Sequence, residues 1–208
     1  MKKFNNLFDN IGRINYQLLL KKKIKLTIKN SKFYKKKLLN FKNIKFSIKE
    51  FEKIPFTTKT ELLEDQKKYS PFGSNLSINN KNIQRIHRTS GTSDKPLILA
   101  LTKNDIKLMT ETGSVCSKIS GLKNKDIVIH CLNYCMWMGG LTDHMSLEKS
   151  GAAVIPFGVG NSKQLIETII NTKATTISCT PSYLNKLIYV LNEFFNIKPK
   201  ELGLKLGL

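Results

Sequence analysis

The residues best suited to binding chemistry lie in a hydroxyl-rich turn at positions 85–96. Four hydroxyl side chains surround one glycine, and a lysine follows shortly after: Thr89, Ser90, Gly91, Thr92, Ser93 and Lys95. Glycine lets the backbone approach a ligand closely, and N–H groups, hydroxyls and a nearby cation are groups that bind phosphate. The spacing differs from the G-x-x-x-x-G-K-[ST] pattern of a Walker A loop. On composition alone an ordinary solvated turn is the favoured interpretation, and a phosphate-binding loop is the alternative.

A second informative segment covers positions 133–140, Asn-Tyr-Cys-Met-Trp-Met-Gly-Gly. Tyr134, Trp137 and Met138 lie beside the pair Gly139 and Gly140. Large apolar side chains next to glycines predict the wall of a ligand pocket with close backbone approach. Packing in the core is the alternative.

The sequence holds four cysteines, Cys116, Cys131, Cys135 and Cys179. His130, Cys131 and Cys135 are close enough in sequence to suggest a metal site. They lack a C-x-x-C pair, and no second cluster of ligands accompanies them. A cytosolic chain of 208 residues does not need disulfides. The favoured interpretation is therefore buried apolar thiols and no metal.

Composition and charge narrow the class of protein. The 208 residues are 40% hydrophobic and 24% charged, which is typical of a soluble globular protein. No apolar run is long enough for a membrane span, and no secretory leader is recognised, so we predict a cytoplasmic protein. The net charge of +20 comes from an excess of lysine, much of it before Phe46. A solvated helical face is favoured over a nucleic-acid or membrane footprint, because arginine and interleaved aromatic residues are scarce there.

The hydrophobic pattern predicts helices first and a sheet later. Residues 4–41 have helical periodicity, and Thr58 with Glu61 forms a capping-box pattern. Thr102 predicts a helix running to about Ile119. Strands are predicted at 126–132, 152–156 and 174–179, with helices at 141–150, at 162–171 and after Thr180. This alternation predicts an α/β fold with βαβ units and a mostly parallel sheet.

Four segments together resemble one family. Residues 89–96 resemble the phosphate loop of adenylate-forming (AMP-binding) enzymes, usually Ser-Ser-Gly-Thr-Thr-Gly-Lys-Pro, with Asp94 in place of the last glycine. Residues 54–62 resemble a Leu-Pro-Phe-Thr-Thr-Lys-x-x-Leu run, residues 69–73 a Tyr-Pro-Phe-Gly segment, and residues 179–183 a Cys-Thr-Pro-Ser-Tyr segment. Through them the chain is identified as a member of the phenylacetate–coenzyme A ligase family, N-terminal half only.

The resemblance implies a fold and a domain organisation. N-terminal helices would be followed by βαβ units, as in the large N-terminal domain of adenylate-forming enzymes, here incomplete. Residues 1–45 would be a basic helical lead-in, and residues 46–208 the first part of the AMP-binding domain. The C-terminal half and the small C-terminal domain would lie outside this chain.

The same resemblance implies an activity in phenylacetate catabolism. An aryl carboxylic acid would react with ATP to give an acyl-adenylate and then a coenzyme A thioester, with Mg²⁺ as the metal ion. The phosphates would be held by Thr89, Ser90, Gly91, Thr92, Ser93 and Lys95, and the acyl group would be flanked by Tyr134, Trp137, Gly139 and Gly140. The adenylation lysine would lie outside this chain, so the isolated chain is expected to be inactive or very weak.

Two further classes stay open. The chain is alternatively a non-catalytic remnant or partner subunit of a ligase, with a complementing C-terminal half as its partner. A basic nucleic-acid-binding protein is the other alternative, supported by charge alone. The favoured interpretation is that the chain binds neither a specific nucleic acid nor a membrane.

Overall fold

The computed structural model describes residues 10–43, 48–90 and 95–208, and for residues 10–16 and 48–49 it describes the backbone only. The chain divides into two compact units, one containing residues 1–83 and 91–100 and the other residues 84–90 and 101–208. The predicted domain boundary between residues 45 and 46 lies outside the described residues, so it stays a prediction.

The described part of the first unit is mainly helical. Its helices are α1 (Asn10–Asn30), α2 (Lys32–Leu38), α3 (Ile48–Phe51) and α4 (Lys59–Lys68). The predicted helical lead-in is interrupted at Ser31, where the backbone is extended. The Ser31 hydroxyl caps α2 by accepting from the Tyr34 N–H at 3.2 Å. Ser31 also donates to the Ser74 carbonyl at 3.3 Å, which explains why so small a polar side chain is buried.

The predicted capping box of α4 is confirmed. The Glu61 N–H donates to Thr58 Oγ1 at 3.2 Å, and the Thr58 N–H donates to the Glu61 carboxylate at 2.7 Å. The hydrogen bond from Lys37 is the largest cause that lowers the pKa of Glu61 to about 2. Farther along α4, Asp65 accepts from the N–H groups of Ser74 and Asn75, which fixes the turn after the helix.

The second unit is built around a parallel sheet, which confirms the predicted fold class. Four strands lie in the order β4-β3-β5-β6, namely β3 (Ile127–His130), β4 (Ala153–Ile155), β5 (Thr176–Ser178) and β6 (Leu206–Gly207). Its helices are α5 (Lys103–Ile119), α6 (Met138–Lys149), α7 (Ser162–Thr172) and α8 (Pro181–Phe194). Two short strands come earlier in the chain, β1 (Arg85–Arg88) and β2 (Ile98–Leu101).

The core of the second unit lies between the sheet and its helices. Ile129 in β3 and Ile177 in β5 are direct neighbours, and both are buried against α7 and α8. The α7 side of this cluster is supplied by Leu165 and Ile169, which are four residues apart and so share one helix face. Packing in this core therefore holds β3 and β5 side by side.

Two local predictions need correction. The helix predicted from Leu141 begins at Met138, so Gly139 and Gly140 belong to its first turn. The low helix propensity of glycine favoured a later start. Close packing nevertheless requires a glycine at position 140. The cysteines are all free thiols, yet only Cys131 is buried, while Cys116 and Cys135 are exposed. Burial raises the pKa of Cys131 to about 12.

No helix in the described ranges has both the length and the apolar composition that crossing a membrane requires. Within those same ranges, no three His, Cys, Asp or Glu side chains are grouped as metal ligands.

Candidate functional site

A cavity of about 260 Å³ lies where the carboxyl ends of β3 and β5 meet. Ligands of α/β proteins commonly bind at this edge of a parallel sheet. The cavity is lined by residues that follow β3, β4 and β5 and by the residue before α6, namely Cys131, Leu132, Asn133, Trp137, Gly158, Val159, Thr180 and Tyr183. The lining is largely apolar with a few polar groups, which suits a small organic molecule.

Trp137 lies in the lining of this cavity, and the residue is 41% exposed. It occupies the N-cap position of α6 with an extended backbone. The preceding residue, Met136, has a positive φ of 57°, a conformation that is uncommon outside glycine. The Met136 carbonyl accepts from the Arg88 N–H and from His87 Nδ1, both at 3.1 Å.

These bonds bring the two predicted segments together at one point. Arg88 ends β1, and Thr89 and Ser90 follow it directly. The start of the predicted phosphate loop is therefore next to the segment that carries Trp137. Gly91, Thr92, Ser93 and Asp94 lie outside the described residues. Lys95 is exposed and belongs to the first unit.

His130 connects three elements of the second unit by hydrogen bonds. It is fully buried at the end of β3, with Nε2 2.9 Å from the Gly140 carbonyl and Nδ1 3.0 Å from Ser178 Oγ. A carbonyl only accepts, so Nε2 carries the proton and donates to Gly140, and Nδ1 accepts from the Ser178 hydroxyl. Burial lowers the pKa of His130, which keeps the ring neutral. His130 thus ties β3 to β5 and to the start of α6.

The two predicted glycines have different surroundings. A Cβ atom on Gly140 would lie 2.1 Å from the Asn133 carbonyl oxygen, so the fold itself requires glycine there. A Cβ atom on Gly139 would lie at ordinary contact distance, 3.6 Å, from Asp143 and from Leu132. Neither glycine is among the residues that line the cavity.

The Tyr134 side chain makes its polar contact with α6. Its hydroxyl is 3.0 Å from His144 Nδ1, and it is not among the residues that line the cavity. Burial raises the pKa of Tyr134 to about 12. Its ring lies beside Gly158, which does line the cavity.

The sequence and the fold of the chain are similar to those of known proteins. No protein-family model matches the chain. A phenylacetate–coenzyme A ligase from Thermus thermophilus is 30% identical over 158 residues, which is 76% of this chain and 34% of that protein. The corresponding enzyme from Aromatoleum evansii is 31% identical over 164 residues, 78% of this chain and 36% of that protein.

This chain is a relative of the phenylacetate–coenzyme A ligases.

Solved structures agree with this assignment. A 2-hydroxyisobutyryl-CoA ligase crystallised with 2-HIB-AMP and CoA in its thioesterification state is 25% identical, with a TM-score of 0.86 over 96% of this chain and 43% of that chain. Its open conformation gives 26% identity and a TM-score of 0.81 over 90% of this chain and 44% of that chain. The chain spans about a third of the length of the curated ligases it matches.

Sequence reasoning missed several residues in and around this cavity. Thr180 and Tyr183 were interpreted only as a helix start and a family motif, although both line the cavity. Their position directly after β5 was the available signal, because neighbouring parallel strands end at the same edge of the sheet. His130 was considered only as a metal ligand. Val159 had no chemical signal in the sequence, because a lone valine is commonplace in any fold.

Proposed function

We propose that the chain supplies part of an ATP-dependent carboxylic acid–coenzyme A ligase that acts on a phenylacetate-like aryl acid. The observation that carries the proposal is the apolar cavity with Trp137 at the edge of the sheet, next to the start of the predicted phosphate loop. The similarity to phenylacetate–coenzyme A ligases supports the reaction and the acid. The acyl-AMP and coenzyme A in the 2-hydroxyisobutyryl-CoA ligase structures support the two-step chemistry.

The proposed reaction has two displacements. A carboxylate oxygen of the acid attacks the α-phosphorus of ATP. The bond between that phosphorus and the oxygen that bridges to the β-phosphate breaks, and pyrophosphate leaves. The thiol of coenzyme A then attacks the acyl carbonyl and loses its proton, and AMP leaves as the thioester forms. The first step develops negative charge on the phosphates, which positioned donors and cations stabilise.

This chain's own residues would bind and orient the substrates. We assign the β- and γ-phosphates to the loop hydroxyls of Thr89, Ser90, Thr92 and Ser93, to the backbone at Gly91, and to the ammonium group of Lys95. Mg²⁺ prefers phosphate oxygens and water to a cage of protein ligands, so we expect it to bind with the nucleotide, and the described residues show no carboxylate cluster for it. Trp137 would contact the acyl group directly, because it lines the cavity.

The isolated chain is proposed to be inactive, because the resemblance puts the adenylation lysine outside these 208 residues. A non-catalytic partner subunit is the second candidate, favoured by Asp94. A carboxylate at this position in the loop disfavours a bound triphosphate by repulsion between like charges. Robust acid-dependent ATP–pyrophosphate exchange by this polypeptide alone would contradict both ideas.

Substitution of Trp137 by alanine tests the acid site. We expect phenylacetate affinity to fall about tenfold or more, because the largest apolar contact of the cavity is removed. Isothermal titration of the 208-residue chain with phenylacetate measures this loss. Phe56→Ala is the matched control, since Phe56 is an aromatic residue that is 93% exposed in the other unit. Equal phenylacetate affinity for Trp137→Ala and the unmodified chain would exclude Trp137 from the acid site.

A further inference from the structure

We propose that Glu148, His144 and Tyr134 form a hydrogen-bonded chain that positions the wall of the acid-binding cavity at Gly158. The inference rests on the proposed function, because it assigns positioning residues to the same site. None of the three residues lines the cavity, so each would act through its neighbour rather than by touching the acid.

The hydrogen bonds run in one direction. Glu148 and His144 are four residues apart on α6, and His144 Nε2 lies 3.1 Å from Glu148 Oε1. The carboxylate only accepts, so Nε2 donates to it, and in a ring that carries a single proton Nδ1 is left as an acceptor. The Tyr134 hydroxyl, 3.0 Å away, donates to that nitrogen. Glu148 therefore sets the tautomer of His144, and His144 sets the direction of the Tyr134 hydroxyl.

The exposure of the side chains to solvent decreases from Glu148 to His144. The Glu148 side chain is 58% exposed and that of His144 is 16% exposed. Tyr134 is partly buried, and its raised pKa keeps the phenol protonated and able to donate at neutral pH. The bond between Tyr134 and His144 is thus better shielded from water than the Glu148 carboxylate, and a shielded hydrogen bond orients a side chain more strongly.

The Tyr134 ring connects this chain of bonds to the cavity. It packs edge-on against His130, with ring centroids 5.6 Å apart. It also lies beside Gly158, where an added Cβ atom would lie 3.4 Å from Tyr134 Cδ2. Gly158 has a φ of 70° and donates its N–H to the His130 carbonyl at 2.9 Å. The ring therefore supports the cavity-lining turn that contains Gly158 and Val159.

Loss of the hydroxyl anchor releases the ring without disturbing the core. The buried cluster between the sheet and α7 is made by residues such as Ile129, Leu165 and Ile169, and the hydrogen-bond partner of the Tyr134 hydroxyl is His144, which is not one of them. A change at Tyr134 should therefore alter acid binding more than it alters folding. This difference separates a positioning role from a merely structural one.

The test is a double-mutant cycle on Tyr134→Phe and His144→Phe, with two readouts. The first is phenylacetate affinity by isothermal titration, which we expect to fall about fivefold in each single variant. The second is acrylamide quenching of Trp137, the only tryptophan in the sequence, which reports on the cavity without activity or ligand. We expect stronger quenching in both variants, an unchanged urea midpoint, and no further effect in the double variant, because both substitutions break the same bond.

Variants of Glu148 provide the conservative comparison. Glu148→Gln keeps an oxygen that accepts from His144 and should change both readouts less than Glu148→Ala. Glu111→Ala is the matched control, because Glu111 pairs with Lys107 at the same helical spacing on α5. Wild-type affinity and quenching in Tyr134→Phe, or effects that add in the double variant, would overturn the inference. If the unmodified chain binds no aryl acid, the proposed function fails, and the quenching cycle still decides whether these residues position the cavity wall.

Discussion

Replacement of Gly140 by alanine is expected to lower the free energy of unfolding by about 3 kcal/mol or more, at the upper end of overpacking effects. The new Cβ atom would lie 2.1 Å from the Asn133 carbonyl oxygen and 2.9 Å from Tyr134 Cα. Both atoms belong to the backbone, so no side-chain rotation relieves the clash. The Gly140 carbonyl also accepts from His130, and a shift of α6 would strain that bond as well.

Gly139→Ala is the matched control for this substitution. Both positions lie in the first turn of α6, but a Cβ atom on Gly139 meets its nearest neighbours at 3.6 Å. We expect Gly139→Ala to change the unfolding free energy by less than about 1 kcal/mol. Urea unfolding followed by circular dichroism measures both variants. Equal stability of the two alanine variants would show that Gly140 is not held against Asn133 as described.

Replacement of His130 by alanine is expected to cost about 3 kcal/mol of stability, because it leaves a cavity and two buried groups without their partner. The ring is fully buried, and it bonds both the Gly140 carbonyl and Ser178 Oγ. Urea unfolding at pH 7.5 measures the loss. His144→Ala is the comparison, because His144 is partly exposed and should cost less.

The stability loss in His130→Ala should depend on pH. Burial lowers the pKa of His130 in the folded state below the ordinary histidine value of about 6.5. Below that pH the unfolded chain binds the proton more readily, so the contribution of His130 is complete above about pH 6.5 and is lost as the pH falls further. The stability difference between the unmodified chain and His130→Ala should therefore shrink between pH 7.5 and pH 5.5. A difference that grows as the pH falls would contradict a neutral, buried His130.

The helix starts could be predicted from the sequence because they obey local rules. Thr58 with Glu61 and Thr102 with Asp105 are capping boxes in the structure, and in each the bonded residues are only three apart. The parallel sheet was also predictable, because alternating strands and helices leave few other arrangements. The start of α6 was not predictable in this way, because it depends on how Gly140 packs against Asn133.

The site itself was only partly predictable, because its residues meet through tertiary contacts. Trp137 was predicted from its neighbours and does line the cavity. Tyr134 belongs to the same segment, yet its hydroxyl contacts His144, ten residues away on α6. Tyr183 reaches the cavity only because β5 lies beside β3. No short-range pattern contains that information.

The central claim, that this chain carries a nucleotide-phosphate site, is tested most directly by titration of the 208-residue chain with MgATP. Calorimetry is compared for the unmodified chain, Lys95→Ala and the control Lys103→Ala, which removes an equal charge at another exposed lysine. We expect saturable one-to-one binding that Lys95→Ala weakens about tenfold and that Lys103→Ala leaves unchanged. Asp94→Gly, which supplies the glycine usual in the family, should tighten it. The absence of saturable binding, or equal weakening by both lysine variants, would contradict the claim.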